Sequence, residues 1–210
     1  MLLNGSAVSV NWEKANIPAI VEAWYPGQAA GTAIADVLFG DYNPAGRLPI
    51  TFYKSVNDLP AFDNYDMSGR TYRYFSKEVL YPFGFGLSYT SFAYDTIKLN
   101  KKEILANESL IASVVIKNTG TYAGDEVVQL YISNPGSKRI HAIKSLKGFR
   151  RINLKAGESK TVNFAISADL LSNFDEKANA FLVEPGEYNI LIGKSSADSY
   201  LQKTKLIVKQ

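Results

Sequence analysis

The chain has 210 residues, 46% of them hydrophobic and 20% charged, with a formal charge of +3. That composition suits one large or two small globular domains. It holds no cysteine and a single histidine, His141, which excludes disulfides, thiol catalysis and thiolate metal sites and leaves histidine triads or metal centres one candidate.

From the amino terminus, alternation over residues 7–12 predicts a short strand. The first ten residues have no basic start, and Asn4-Gly5 breaks their apolar stretch early, so they read as a chain entered in mid-strand and not as a signal peptide. Asn16 is placed to cap a helix carrying Ile17, Ile20, Val21 and Trp24, with Pro18 in its first turn and Tyr25-Pro26-Gly27 ending it. A second helix is predicted over 28–39, its apolar stripe Ala30, Ile34, Val37 and Leu38, its carboxy-terminal cap Gly40. Asp41 to Gly46 is turn chemistry, with Asp41 and Arg47 expected to pair across it. Residues 48–53 follow as a strand whose Pro49 points to an edge or a strand start. Some 57 residues in this pattern are few for an isolated α/β unit and look like the last third of one.

Residues 58–95 form an aromatic linker. Between Ala61 and Asp95 lie eleven of the chain's 26 Phe, Tyr and Trp residues, including Gly69-Arg-Thr-Tyr-Arg-Tyr-Phe75 and Leu80-Tyr-Pro-Phe-Gly-Phe-Gly-Leu-Ser-Tyr-Thr90. Such rings bury large areas and stack on flat or apolar surfaces, the C–H faces of sugars among them. Phe83-Gly84-Phe85-Gly86 contains a Gly-x-Gly, but the extended Leu87-Ser-Tyr-Thr90 follows in place of the helix a phosphate loop needs. Its glycines let the backbone turn between packed rings.

Beyond position 95 the pattern is all-β, with strands expected over 97–100, 109–117, 126–133, 144–154, 159–167, 180–184, 187–193 and 200–209. Alternation in Ser113–Lys117 and Val128–Ile132 indicates one buried face. Seven or eight antiparallel strands without a Cys-Trp-Cys signature point to a fibronectin type III-like, immunoglobulin-like β-sandwich over 96–210. The fold class is thus mainly β, with a partial α/β segment (1–57) and the linker ahead of the sandwich. Net charge follows the same division: −1 over 1–57, −2 over 58–95 and +6 over 96–210.

Several blocks resemble the carboxy-terminal part of glycoside hydrolase family 3, the β-glucosidases and β-xylosidases. Glu22-Ala-Trp-Tyr-Pro-Gly-Gln28, Ala33 to Asp41 and Asn43-Pro-Ala-Gly-Arg-Leu-Pro-Ile-Thr-Phe52 resemble the close of its α/β-sandwich domain. Gly124-Asp-Glu-Val-Val-Gln-Leu-Tyr131, Leu146-Lys-Gly-Phe149, Gly157-Glu-Ser-Lys-Thr-Val162 and Pro185-Gly-Glu-Tyr188 resemble its fibronectin-like domain. The resemblance implies a parent that hydrolyses terminal β-D-glucosyl or β-D-xylosyl residues with retention, using two carboxylates about 5 Å apart. It places the nucleophile in a preceding (β/α)8 barrel and the acid/base ahead of Leu2, so no catalytic residue is assigned here and the fragment itself reads as structural. Its implied partners are that barrel, the rest of the α/β domain and a glycoside substrate. No metal or organic cofactor is called for, and the family leans towards the periplasm or the outside of the cell. The alternatives are a free-standing carbohydrate-binding or adhesion module and a non-catalytic subunit of a split glycosidase.

Family geometry also suggests that Asp66, Arg70 and Tyr72 border an outer sugar subsite, with Arg70 or Arg73 offering a forked donor. The structural alternative is an arginine paired with a domain carboxylate. Glu13, Glu22, Asp58, Asp63 and Asp66 are the other carboxylates to weigh as acid/base groups, against the commoner role of loop acids as turn caps. The run Lys138, Arg139, Lys144, Lys147, Arg150, Arg151 and Lys155 would suit a polyanion, yet long cations blunt sheet edges and Phe149 is expected in the core, so neither nucleic acid nor membrane is expected as a partner. His141 is expected in an exposed loop. Asn4-Gly-Ser6 and Asn107-Glu-Ser109 match a glycosylation sequon that often arises by chance.

Overall fold

The structure is a computed structural model of the 210-residue chain and describes residues 1–137 and 141–210. The amino-terminal segment carries α1 (Asn11–Asn16) and α2 (Ala30–Phe39), and the aromatic stretch a single turn, α3 (Thr71–Tyr74). Then come β1 (Phe92–Tyr94), β2 (Lys98–Leu99), β3 (Glu103–Leu105), β4 (Leu110–Asn118), β5 (Gly124–Ser133), β6 (Ser145–Leu154) and β7 (Ser159–Ile166). The turn α4 (Ala168–Leu171), β8 (Asn173–Asp175), β9 (Ala180–Leu182), β10 (Gly186–Gly193) and β11 (Leu201–Lys209) complete the chain.

The fold is mainly β, as its sequence pattern indicates. In one sheet β4 pairs antiparallel with β7 on one side and with β1 and β2 on the other. The other runs β3-β11-β10-β5-β6, antiparallel except where β3 lies parallel to β11. Val114 and Ile116 meet Leu130, Ile132, Ile190, Ile192 and Leu206 in one core. Truncating any one of these to alanine would cost about 2–5 kcal/mol. β8 and β9 form a separate hairpin, so residues 180–184, expected as a sandwich strand, lie outside both large sheets.

The amino-terminal segment departs from its sequence pattern. Residues 7–12 do not make a strand; α1 starts at Asn11, closed by Lys14 N–H to the Val10 carbonyl and Ile17 N–H to that of Glu13. The helix expected from Ile17 to Trp24 does not form. Ile17 precedes Pro18 and is forced out of the α region, to φ −106° and ψ 130°. Two β-branched residues, Ile20 and Val21, follow, and the chain extends instead beside Leu2, which exchanges main-chain bonds with Val21 and Ala23. α2 forms as predicted, with Gly40 left-handed at φ 90°. Residues 48–53 do not make the expected strand: the chain bends at Pro49 and Ile50, Phe52 bridges Tyr81, the Leu48 N–H donates to the Phe85 carbonyl and the Leu48 carbonyl accepts the Gly84 N–H. Val10, Phe52 and Leu80 form a second, small buried cluster here.

The two faces of β5 explain how the parts join. Val128, Leu130 and Ile132 face the sandwich core, as alternation predicts. Gln129 and Tyr131, on the other face, are buried as well, because the aromatic stretch lies over them. Phe149 pairs across to Gln129 and so shares that outer face; it is 60% exposed and not in the core.

Candidate functional site

The aromatic stretch is a string of ring contacts fixed at both ends. Phe52 meets Trp24 and Tyr81 edge-on, Tyr81 stacks on Phe85, and Tyr53 meets Phe75. Tyr72 stacks on Phe83 with centroids 4.4 Å apart and presents its edge to Tyr131. Its hydroxyl accepts the Leu146 N–H at 3.0 Å, and the Arg73 carbonyl accepts the Ile143 N–H, tying this turn to the approach and start of β6. Burial pushes the Tyr131 phenol far above its ordinary range, and its hydroxyl donates to Gln129 Oε1. Gln129 Nε2 in turn donates to the Gly84 and Lys194 carbonyls.

Both glycines of Phe83-Gly84-Phe85-Gly86 are needed for close approach. Gly84 sits at φ +78°, and a Cβ there would lie 2.1 Å from Gln129 Oε1; one on Gly86 would lie 2.1 Å from the Gly46 carbonyl oxygen. The Gly46-Arg47 corner thus seats the aromatic stretch. Arg47 does not pair with Asp41 but reaches into the sandwich, where it meets Glu126 at 2.8 Å with both side chains almost wholly buried. A guanidinium withdrawn from water needs a carboxylate more than the turn needs a lock. Beside it, burial and the Glu126 charge push the Tyr94 phenol well above its usual range. Asn43 donates to the Ala123 carbonyl and accepts from Ser88 and Tyr89, while Tyr42 accepts from Arg151.

The residues suggested by the resemblance fall into two places. Asp66 and Arg70 belong to a loop closed on itself: Asp66 Oδ1 accepts the Ser68 N–H, and Arg70 donates to the carbonyls of Asp66, Ala61 and Asn64. Arg70 therefore holds a loop with its fork rather than a domain carboxylate, and Arg73 lies over the Tyr74 ring. Between them Thr71, a β-branched residue, is held at φ +54°, its N–H donated to the Tyr53 hydroxyl at 2.7 Å. Tyr72 alone of the three lines a cleft of about 560 Å³ between residues 72–85 and the 143–144 and 196–200 corner.

Two of the other carboxylates have local partners. Asp58 closes a capping box with Ser55, and Glu22 Oε1 accepts the Trp24 N–H at a second strained residue, Trp24, with φ +54°. The basic run is dispersed. Lys138 and Arg139 lie outside the described residues, Lys144 is buried against the Ser196 carbonyl and the Asp198 carboxylate, and Arg151 binds Asp125. Partial burial works against the Asp125 charge, but donation from Asn153 and Arg151 outweighs it and holds that carboxyl below its usual range. His141 is half-buried rather than exposed. No helix among the described residues is long and apolar enough to cross a membrane.

Residues 1–89 match the glycosyl hydrolase family 3 C-terminal domain, and residues 126–196 match a fibronectin type III-like domain. Among curated relatives, a xylan 1,4-beta-xylosidase of Xylanibacter ruminicola is 46% identical over 95% of this chain, which covers 23% of that protein. A periplasmic beta-glucosidase of Salmonella typhimurium is 39% identical over 94% of the chain and 27% of its own length. A beta-glucosidase of Listeria innocua, solved with glucose, superposes with a TM-score of 0.86 at 32% identity, over 99% of this chain and 30% of that one. The chain therefore spans roughly a quarter to a third of the proteins it is similar to.

Proposed function

From the premise that this chain belongs to glycoside hydrolase family 3 as its carboxy-terminal part, we propose that it buttresses a retaining β-glycosidase and is not itself catalytic. The parent hydrolyses terminal β-D-glucosyl or β-D-xylosyl residues. Retention needs a nucleophile and an acid/base carboxyl about 5 Å apart, and on this reading both come from a preceding barrel and the earlier part of the α/β domain. The observation that carries it is the amino-terminal segment, whose helix α2 buries none of its residues. Phe39 is 85% exposed and Tyr25 77%, with Trp12 and Leu38 also bare. Apolar surface on this scale marks a face that packs against something. A dedicated binding module would have no use for it, so the same face speaks against the free-standing reading.

Within that assembly Asp66, Arg70 and Tyr72 stand at the rim of the sugar site. The strained Thr71 between Arg70 and Tyr72 supports this, since backbone strain collects where geometry serves function. The test is hydrolysis of nitrophenyl β-glucoside and β-xyloside by the chain alone and by the chain mixed with a separately expressed barrel and partial α/β domain. No turnover alone and turnover on mixing is expected. Turnover by the chain alone that survives repurification overturns the reading.

A further inference from the structure

We infer that the small cavity beside the β6 bulge is an anion site, and that it takes a single monatomic anion of the size of chloride. The register of β5 against β6 breaks here: Leu130 faces Gly148 and Tyr131 faces Leu146, which leaves Lys147 as the extra residue. A bulge re-aims the side chain it carries. Lys147 is half-buried and lines a cavity of about 20 Å³. Ser133, Asn134, His141, Ser145 and Asn173 share that lining, each with an N–H or O–H to give, and no Asp or Glu belongs to it.

Lys147 differs from the other cations withdrawn from solvent. Among the described residues, each other buried or half-buried lysine or arginine has a partner: Arg47 pairs with Glu126, Lys54 with Glu78 and Lys144 with Asp198, Arg70 holds three carbonyls, and Lys194 lies over the Tyr200 ring. Lys147 has no such partner among them, and Lys138, Arg139 and Ile140, outside them, bring no acid. A second cation adds to the imbalance. The Tyr72 hydroxyl accepts the Leu146 N–H at 3.0 Å and the Arg73 carbonyl accepts the Ile143 N–H at 2.7 Å, so the turn that carries Arg73 is tied to β6 one residue before Lys147. Burial, and after it the Arg73 charge, hold the Lys147 ammonium below its ordinary range. A charge withdrawn from water is costly unless paired, and a like charge nearby raises that cost; one bound anion relieves both. Size selects the anion. A cavity needs about 10–15 Å³ to hold one water, so a monatomic anion fits here, whereas sulfate, phosphate and organic acids are too large.

The site is independent of the parent's activity, so its failure leaves the reading of the parent enzyme standing. The experiment is titration of the isotopically labelled 210-residue chain with sodium chloride, sodium gluconate holding the ionic strength constant, followed by amide chemical shifts. Saturable shifts centred on Ser133, Asn134, Ser145, Lys147 and Asn173 are expected, with a dissociation constant of about 10 mM. Chloride at tenfold that concentration should raise Tm by about 3–6 °C over gluconate. Lys147→Met keeps the length of the side chain and removes its charge; it should weaken chloride binding at least about tenfold and abolish the rise in Tm. Unchanged shifts of the sandwich core verify that the variant folds, and the titration of the unaltered chain decides by itself whether chloride binds at this place. Absence of saturable shifts, shifts centred elsewhere, or full affinity in Lys147→Met overturns the inference.

Discussion

At the scale of single residues, the join between the aromatic stretch and the sandwich depends on Gly84. Two costs meet there: a left-handed backbone, about 1–2 kcal/mol for a residue with a Cβ, and overpacking against Gln129, about 1–3 kcal/mol. Gly157 has nearly the same φ, +77°, with nothing within 4 Å of its Cβ position, so it isolates the first cost. We expect Gly84→Ala to lose about 3 kcal/mol and Gly157→Ala about 1 kcal/mol. In a chain of this size that is a fall in Tm of about 6–12 °C against about 2–4 °C. Thermal unfolding of the two variants side by side checks it; equal losses would mean that the contact with Gln129 carries nothing. The glycine's turning role was legible in the local sequence. Its steric partner was not, because Gln129 lies 45 residues away and no spacing rule joins them.

Between elements, the Arg47–Glu126 pair fastens the amino-terminal segment to β5. Breaking a buried pair from one side leaves a desolvated charge and costs about 3–5 kcal/mol, whereas replacing both partners with apolar groups of similar size is often nearly neutral. Arg47→Met and Glu126→Leu should each destabilise by that amount, and the double variant should recover most of the loss; denaturant unfolding of the four proteins closes the cycle. Additive losses would show that the two groups act independently. Sequence pattern served the sandwich well here, since period-two alternation in β4 and β5 reports a face that local residues and the core decide together. It served the amino-terminal segment poorly. Ile17, Ile20, Val21 and Trp24 have helical spacing, but Pro18 and pairing with Leu2 overrode it. The candidate cleft was half legible: ring density marked Tyr72, Tyr81 and Phe85, while Thr51 and Tyr200 reach it only through the fold.

Across the whole molecule, stability is distributed unevenly. Among the described residues the sandwich core comprises twenty buried residues, whereas the cluster of the amino-terminal segment comprises Val10, Phe52 and Leu80 with partly buried neighbours. Apolar burial stabilises by about 25 cal/mol per Å², so the smaller cluster offsets far less chain entropy. The segment is nevertheless not loose at its carboxy-terminal end, where Asn43, Arg47 and Leu48 bond to the sandwich or to the aromatic stretch over it. Opening should therefore proceed from residues 1–40 inward while the sandwich stays closed. Hydrogen exchange on the intact chain should find the amides of α1 and α2 exchanging at least about a hundredfold faster than those of β4, β5 and β10, a difference of about 2.7 kcal/mol in opening free energy. If the proposed assembly is right, adding the barrel-bearing part should slow exchange in α2 selectively, by covering the bare face of Leu38 and Phe39. Uniform protection in the chain alone would mean that the segment folds as firmly as the sandwich and needs no partner, and the exposed rings would then require another explanation.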